Sequence, residues 1–348
     1  MALRMLRESV QRVVAPAGII LDGARPWDPH IHDERLFRRV LLQGSLGLGE
    51  AWMDGWWDCD QLDELFHRLL RARVEGRFRS VSGLLGALRA RLRNLQRRAR
   101  AREVARRHYD LGPDLFEAML GRHPVYSCGY WRHASDLDEA QEAKLALVCE
   151  KLHLKPGMRV LDVGCGWGEA ARFAARRHQV EVVGVTISRD QVEAAREHCR
   201  GLPVRIELQD YRDVEGRFDR IFSLGMFEHV GVRNYLRFMR SMRERLEPDG
   251  LLLLHSIGSL HSGHAGDPWM ERYIFPNSML PSAAQITRAF EGLFVLEDWH
   301  GFGADYDPTL MAWHENFQAA WPRLSGRYDE RFRRMWTYYL LSCAGGFR

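Results

Sequence analysis

Along the second half of the chain, short apolar runs recur at 159–163, 181–185, 204–208, 220–224, 250–255 and 293–299. Their length, their β-branched content and the turn residues between them predict strands. Amphipathic stretches with helical spacing separate them, for example from Ser188 to about His198 and from Arg233 to about Leu246. Ser188 is placed to cap its helix, and Gln191 three residues later completes a capping box. Strands alternating with helices in this rhythm predict an open α/β sheet. Upstream, Leu84, Leu85, Leu88, Leu92 and Leu95 repeat at helical spacing with arginines on the intervening faces, which predicts a basic helix. Before it, turn signals such as Pro26-Trp27-Asp28-Pro29 and the cluster Trp52, Trp56 and Trp57 mark a small aromatic-rich region. The pattern therefore divides the chain into a small N-terminal domain (1–75), a basic helical linker (76–107) and an α/β domain (108–348).

Composition narrows the class. Apolar residues make up 46% of the 348, enough for a sizeable core, and 28% charged residues argue against general disorder. The net charge of +4 decides little, but its distribution is uneven: 13 arginines between Arg71 and Arg107 stand against Glu75 and Glu103. That run reads first as a solvated helical face, and next as a surface attracted to anionic lipid headgroups. No nucleic-acid motif accompanies it, so nucleic acid is not an expected partner. No run approaches 18 apolar residues, so no transmembrane helix is predicted. Glu8 and the early arginines make a poor secretory signal. Cys59, Cys128, Cys149, Cys165, Cys199 and Cys343 lie far apart with no CxxC pair, as reduced thiols do. These features predict a cytoplasmic protein, peripheral at the inner membrane face.

The strongest generic motif is the segment from Val160 to Gly168, Val-Leu-Asp-Val-Gly-Cys-Gly-Trp-Gly. A buried strand runs into Gly164, Gly166 and Gly168, where glycine permits a tight turn and a close approach to a ligand. A dinucleotide fingerprint would need glycine at Glu169 and an acidic residue where the second strand ends in Thr186. The pattern Asp-x-Gly-x-Gly-x-Gly instead suits S-adenosylmethionine, with the amino acid end of the cofactor against the turn and Asp162 near its amino group. A plain strand-to-helix connection is the bland alternative.

From about Gly44 onward the sequence resembles cyclopropane-fatty-acyl-phospholipid synthases and, with them, the mycolic acid cyclopropane synthase-like methyltransferases. The resemblance is carried by the tracts 47–57 (Gly-Leu-Gly-Glu-Ala-Trp-Met-Asp-Gly-Trp-Trp), 108–112 (His-Tyr-Asp-Leu-Gly) and 126–131 (Tyr-Ser-Cys-Gly-Tyr-Trp), and by the glycine turn. It continues through 225–231 (Gly-Met-Phe-Glu-His-Val-Gly), Asp267-Pro268-Trp269, 273–276 (Tyr-Ile-Phe-Pro), 303–306 (Gly-Ala-Asp-Tyr) and Trp313. It implies a Rossmann-like class I methyltransferase sheet joined by a helical linker to a small N-terminal domain, with a dimer expected from that extra domain. It also implies methyl transfer to the cis double bond of an unsaturated phospholipid acyl chain. A bound bicarbonate then removes a proton to close a cyclopropane ring. Related enzymes giving methyl-branched, methylene or hydroxylated chains form the alternative. A small-molecule methyltransferase and a silent lipid-binding subunit are more distant readings.

The same resemblance assigns the site. Cys128, Glu228, His255, the backbone at Ile257 and Tyr306 would hold the bicarbonate. Tyr126, Ser127, Gly164 and Gly166 would meet the methionine part of the cofactor. Thr186, Ile187 and Gln191 match the segment near the ribose, and Tyr211 with Arg212 lies where the adenine edge is expected. Read by residue chemistry alone, Cys128 is a packing thiol, His255 a satisfied core histidine and Tyr306 a loop aromatic, while Glu228 stands open between core and site. Family members continue past residues 343–348 with a strand that completes the sheet, so an exposed sheet edge is expected here.

Overall fold

The computed structural model describes residues 2–74, 112–263 and 266–348. The tract 76–107, read as a basic helical linker, and residues 108–111 of the His108 motif lie outside the described residues. Helices α1 (Ala2–Val14), α2 (Arg35–Gln43), α3 (Ser45–Met53) and α4 (Leu62–Arg71) accompany a two-residue antiparallel pair, β1 (His30–Ile31) and β2 (Trp57–Asp58). After the undescribed tract come α5 (Pro113–Leu120), α6 (Leu137–Lys151), β3 (Arg159–Val163), α7 (Glu169–His178), β4 (Glu181–Thr186), α8 (Arg189–His198) and β5 (Val204–Leu208). The chain continues through β6 (Phe218–Leu224), α9 (Tyr235–Arg245), β7 (Leu246–His255), α10 (Pro268–Tyr273), α11 (Ala283–Phe290), α12 (Tyr306–Leu324) and α13 (Glu330–Phe347).

Strands β3 to β7 form one parallel sheet in the order β5-β4-β3-β6-β7. The period of two in each strand separates two apolar layers. Leu161, Val163, Val185 and Ile221 pack with Phe238, Met239 and Met242 of α9 and Ala289 of α11. Val160, Val182 and Phe222 pack on the other face with Val148 and Cys149 of α6 and with Ala171, Ala174 and Ala175 of α7. Both faces are thus covered, as an all-parallel sheet requires. The strand order reverses between β3 and β6, and their carboxyl ends open where ligands of such sheets bind.

Two compact units are present. The one just described falls within 94–266 and 277–303; the other draws together parts of 1–93, 267–276 and 304–348. In the latter, Trp52 meets Trp57 edge-on with ring centres 5.0 Å apart. The Arg334 guanidinium lies over the Trp52 ring and donates to the Trp57 carbonyl at 2.9 Å. Trp269 of α10 is almost fully buried against Gly49 of α3: a Cβ there would come within 2.4 Å of the indole. The six cysteines are free thiols.

Two expectations are corrected. The segment 293–299 forms no strand; Val295 is 82% exposed and Trp299 53%. Alternation of apolar residues selects a face, but a strand also needs a hydrogen-bonding neighbour, and none pairs with this segment among the described residues. Only half of the capping box at α8 is made. Ser188 Oγ accepts the Gln191 amide N–H at 3.4 Å, but the Gln191 side chain turns to Thr186 instead of back to the cap.

Candidate active site

The carboxyl ends of the parallel strands carry most of the predicted site residues. β3 delivers Asp162 and the glycine turn, β4 ends at Thr186, and β5 leads into Tyr211 and Arg212. β6 leads into Glu228, and β7 ends at His255. The three glycines of the turn have φ of +87°, +53° and +81°, the left-handed region that disfavours side chains. They serve different ends. At Gly168 a Cβ would sit 3.0 Å from Ala195 Cβ and 3.1 Å from Cys199 Sγ, so glycine lets α7 start against α8. At Gly166 a Cβ would meet nothing within 4 Å, which leaves open space beside the backbone of the turn.

Asp162 is 2% exposed, and its Oδ2 has no hydrogen-bond partner among the described residues. Burial pushes its pKa up to about 8, a shift opposed by the Lys144 charge. Thr186 Oγ1 donates to Gln191 Oε1 at 2.8 Å, which leaves the Gln191 Nε2 hydrogens for a ligand. Arg212 is paired with Asp210, donating from Nε at 2.7 Å, and Tyr211 packs edge-on against Phe238. Asp210 was not singled out in the sequence, although it fixes the orientation of Arg212. Tyr126 lies edge-on to Phe116 at 5.3 Å, and the same Phe116 ring contacts Trp167 within the glycine turn.

Glu169, at the position where a dinucleotide fold would carry glycine, is a structural hub. Its carboxylate accepts from His123 at 2.7 Å, from Arg172 at 2.6 and 2.8 Å, and from His198. Burial alone would raise its pKa, but those hydrogen bonds prevail and hold it well below the usual carboxylate range. His123 thereby ties the loop leading to Tyr126, Ser127 and Cys128 onto the first turn of α7.

The second cluster is buried. Glu228 is 6% exposed; its Oε1 accepts the Ile257 amide N–H at 2.8 Å, and its Oε2 has no partner among the described residues. Burial raises its pKa, against the pull of the Ile257 amide and the Ser256 hydroxyl, which favour the carboxylate. The Ile257 N–H is committed to Glu228, and its carbonyl accepts the Ser256 hydroxyl at 3.2 Å, which leaves one lone pair of that carbonyl for an outside ligand. His255 stacks on Phe302 with ring centres 5.5 Å apart, and its buried Nδ1 is likewise without a partner. Burial, helped by the nearby Lys144 charge, lowers its pKa to about 3, so the ring is neutral. Cys128 is 1% exposed, with its thiol directed to the Gly129 carbonyl at 3.2 Å and towards the Phe302 carbonyl. Cys128, Phe302 and His255 thus follow one another in contact, and Glu228 joins through Ile257. Tyr306 belongs to the other compact unit, where it stacks on Phe347 at 4.5 Å. Among the described residues, no group of His, Cys, Asp and Glu side chains could hold a metal ion, and no helix is long and apolar enough to cross a membrane.

A parallel sheet with a glycine-lined turn at its switch point, an orphaned buried aspartate beside it and no pyrophosphate fingerprint defines a class I S-adenosylmethionine-dependent methyltransferase. Solved structures agree. The cyclopropane synthase MmaA2 from Mycobacterium tuberculosis matches with a TM-score of 0.67 at 31% identity, over 71% of this chain and 93% of that one. The mycolic acid cyclopropane synthase CmaA1, complexed with SAH and CTAB, matches with a TM-score of 0.66 at 32% identity over the same shares. The chain belongs to the mycolic acid cyclopropane synthetase family, which it matches over residues 96–348. It is 53% identical over 340 residues to the cyclopropane-fatty-acyl-phospholipid synthase of Escherichia coli strain K12, covering 97% of this chain and 88% of that protein. The tuberculostearic acid methyltransferase UfaA1 of Mycobacterium tuberculosis is 31% identical, covering all of this chain and 88% of its own length.

Proposed function

We propose that the protein transfers the methyl group of S-adenosylmethionine to the cis double bond of an unsaturated phospholipid acyl chain and closes a cyclopropane ring there. The carrying observation is the pair of buried, unpartnered atoms, Glu228 Oε2 in the turn that follows β6 and His255 Nδ1 at the end of the neighbouring β7. The identity to the Escherichia coli synthase over nearly the whole chain supports the same reading. The π bond attacks the methyl carbon as its bond to sulfur breaks, leaving a carbocation on the acyl chain and S-adenosylhomocysteine as the leaving group. Loss of a proton from the new methyl closes the ring. Water would trap the cation, so a dry site is required.

Bicarbonate, when bound, supplies the base. The residues fit such an anion: a protonated Glu228 can donate to it, neutral His255 can donate or accept, and the Ile257 carbonyl can accept its hydroxyl. Cys128 and Tyr306 complete the set by resemblance. Asp162, the open side of Gly166 and the free amide hydrogens of Gln191 fit the amino acid and ribose parts of the cofactor. The arginine-rich tract between Arg71 and Arg107 favours a peripheral place on an anionic membrane, and the N-terminal domain favours a homodimer.

The test is incubation with S-adenosylmethionine, bicarbonate and vesicles of cis-unsaturated phospholipid, followed by chromatography of the fatty-acid methyl esters. A product with the ring is expected. Glu228→Gln should lower turnover by roughly 10²- to 10⁴-fold while leaving S-adenosylhomocysteine affinity unchanged. A methylated alkene or methyl-branched product of the wild type would replace ring closure by the chemistry of the related methyltransferases.

A further inference from the structure

A buried lysine beneath the cofactor loop has no part in the site so far. Lys144, on α6, is 1% exposed, and its Nζ donates to Ser127 Oγ at 3.1 Å. One turn earlier on the same helix, Gln141 donates to the Ser127 carbonyl at 2.9 Å and towards the Val125 carbonyl at 3.4 Å. The two side chains therefore clamp the loop that carries Tyr126, Ser127 and Cys128. Asp162 faces the same way. On β3 it shares the face of Val160, which packs under Val148 of α6, the residue one turn beyond Lys144. A buried ammonium held by one hydroxyl thus lies in the same layer as a buried carboxylate with an unpartnered oxygen.

The proton inventory of this contact is directional. An ammonium has donors only, so Ser127 Oγ must accept from it, and the single hydroxyl hydrogen is left to point elsewhere. An anion is the partner that such a charge-backed hydroxyl favours. We propose that Lys144 is a positioning residue for the methyl donor: through Ser127 it commits the hydroxyl hydrogen and its own positive charge to the α-carboxylate of the cofactor, while Asp162 takes the α-ammonium. The inference rests on S-adenosylmethionine being the donor. It adds that the amino acid end is read as a zwitterion by two buried opposite charges, one of them acting through a hydroxyl. Burial disfavours both charges, pulling the Lys144 pKa down to about 7 and pushing that of Asp162 up to about 8, and a bound zwitterion would oppose both shifts by setting an opposite charge against each group.

Calorimetric titration of the whole protein would test this with three probes: S-adenosylhomocysteine, its analogue lacking the α-carboxylate, and 5′-methylthioadenosine, which lacks the amino acid end. Wild type should prefer S-adenosylhomocysteine to the decarboxylated analogue by roughly 10- to 100-fold. Lys144→Met and Ser127→Ala should each remove most of that preference, with the double variant no worse than either, and 5′-methylthioadenosine should bind all of them alike. Should Lys144→Met fail to fold, Ser127→Ala carries the same test. Preference retained in the variants would overturn the inference alone, as would an equal loss for all three probes, which would mark Lys144 as merely structural. Failure of wild type to bind any probe would overturn the methyl-donor reading and the inference with it.

Discussion

Single residues in the glycine turn divide between stability and binding. At Gly168 an added Cβ meets Ala195 and Cys199 at 3.0 and 3.1 Å in a left-handed backbone, so Gly168→Ala should destabilise the fold by about 2–4 kcal/mol, measured by denaturant unfolding. Gly166→Ala bears only the backbone cost, about 1–2 kcal/mol, because its Cβ points into open space. Its main effect should be weaker S-adenosylhomocysteine binding, since that space is where we propose the cofactor lies. A Gly166→Ala protein with unchanged affinity would place the cofactor elsewhere. Residue identity alone could not separate the two glycines: Asp-x-Gly-x-Gly-x-Gly announces a turn, and only the neighbouring helix α8 decides which glycine is needed for packing.

Between elements, the closest approach lies in the unit built from the N-terminal and C-terminal helices. A Cβ on Gly345 of α13 would stand 2.0 Å from the Asp63 carbonyl oxygen and 2.8 Å from the His67 nitrogen of α4. Backbone cannot yield as a side-chain tip can. Gly345→Ala should therefore cost about 3 kcal/mol or more, read as a lowered unfolding midpoint with little change in the affinity for S-adenosylhomocysteine. Hydrophobic periodicity predicted the five strands of the parallel sheet within a few residues of where they form: the inner strands β3, β4 and β6 are largely buried, while the edge strand β5 shows the alternation of a half-exposed strand. It also predicted a strand at 293–299, which is absent, because pattern specifies burial and not a hydrogen-bonding neighbour. The helix pairing α4 with α13 spans nearly the whole chain, and local pattern carries no information on such a contact.

Across the whole molecule, titration and charge give two further expectations. Burial lowers the His229 pKa to about 4, below the roughly 6.5 of an unfolded chain. The unfolded state therefore binds this proton first on acidification. The stability gained by keeping His229 neutral is present above pH ~6.5 and is lost as pH falls through about 4. Replacing it, as in His229→Asn, should flatten the dependence of unfolding free energy on pH in that window by about 1.4 kcal/mol per pH unit relative to wild type. An unchanged slope would show that the ring titrates freely. The 13 arginines between Arg71 and Arg107 should make binding to anionic vesicles salt-sensitive, with association falling from 0.1 M to 1 M salt as the screening length shrinks from about 10 to 3 Å. Binding indifferent to both salt and lipid charge would remove the electrostatic part of the membrane reading.

The sequence by itself determined the α/β class and the glycine turn, and through family resemblance it proposed Cys128, Glu228, His255, Ile257 and Tyr306 as site residues. Glycine spacing, apolar runs and contiguous motifs are local properties, and they survive without coordinates. The tertiary structure decided what those residues have as partners. It leaves Glu228 Oε2 and His255 Nδ1 unpartnered in a buried setting, turns the Ile257 amide onto Glu228, and gives the Gln191 oxygen to Thr186. It also revealed Lys144, which sits in ordinary-looking helical sequence and gains meaning only from the Ser127 loop that the fold sets opposite it. Burial and hydrogen-bond partnership arise between elements distant in the chain, and they are what convert a carboxylate or an ammonium from a solvated surface group into a functional one.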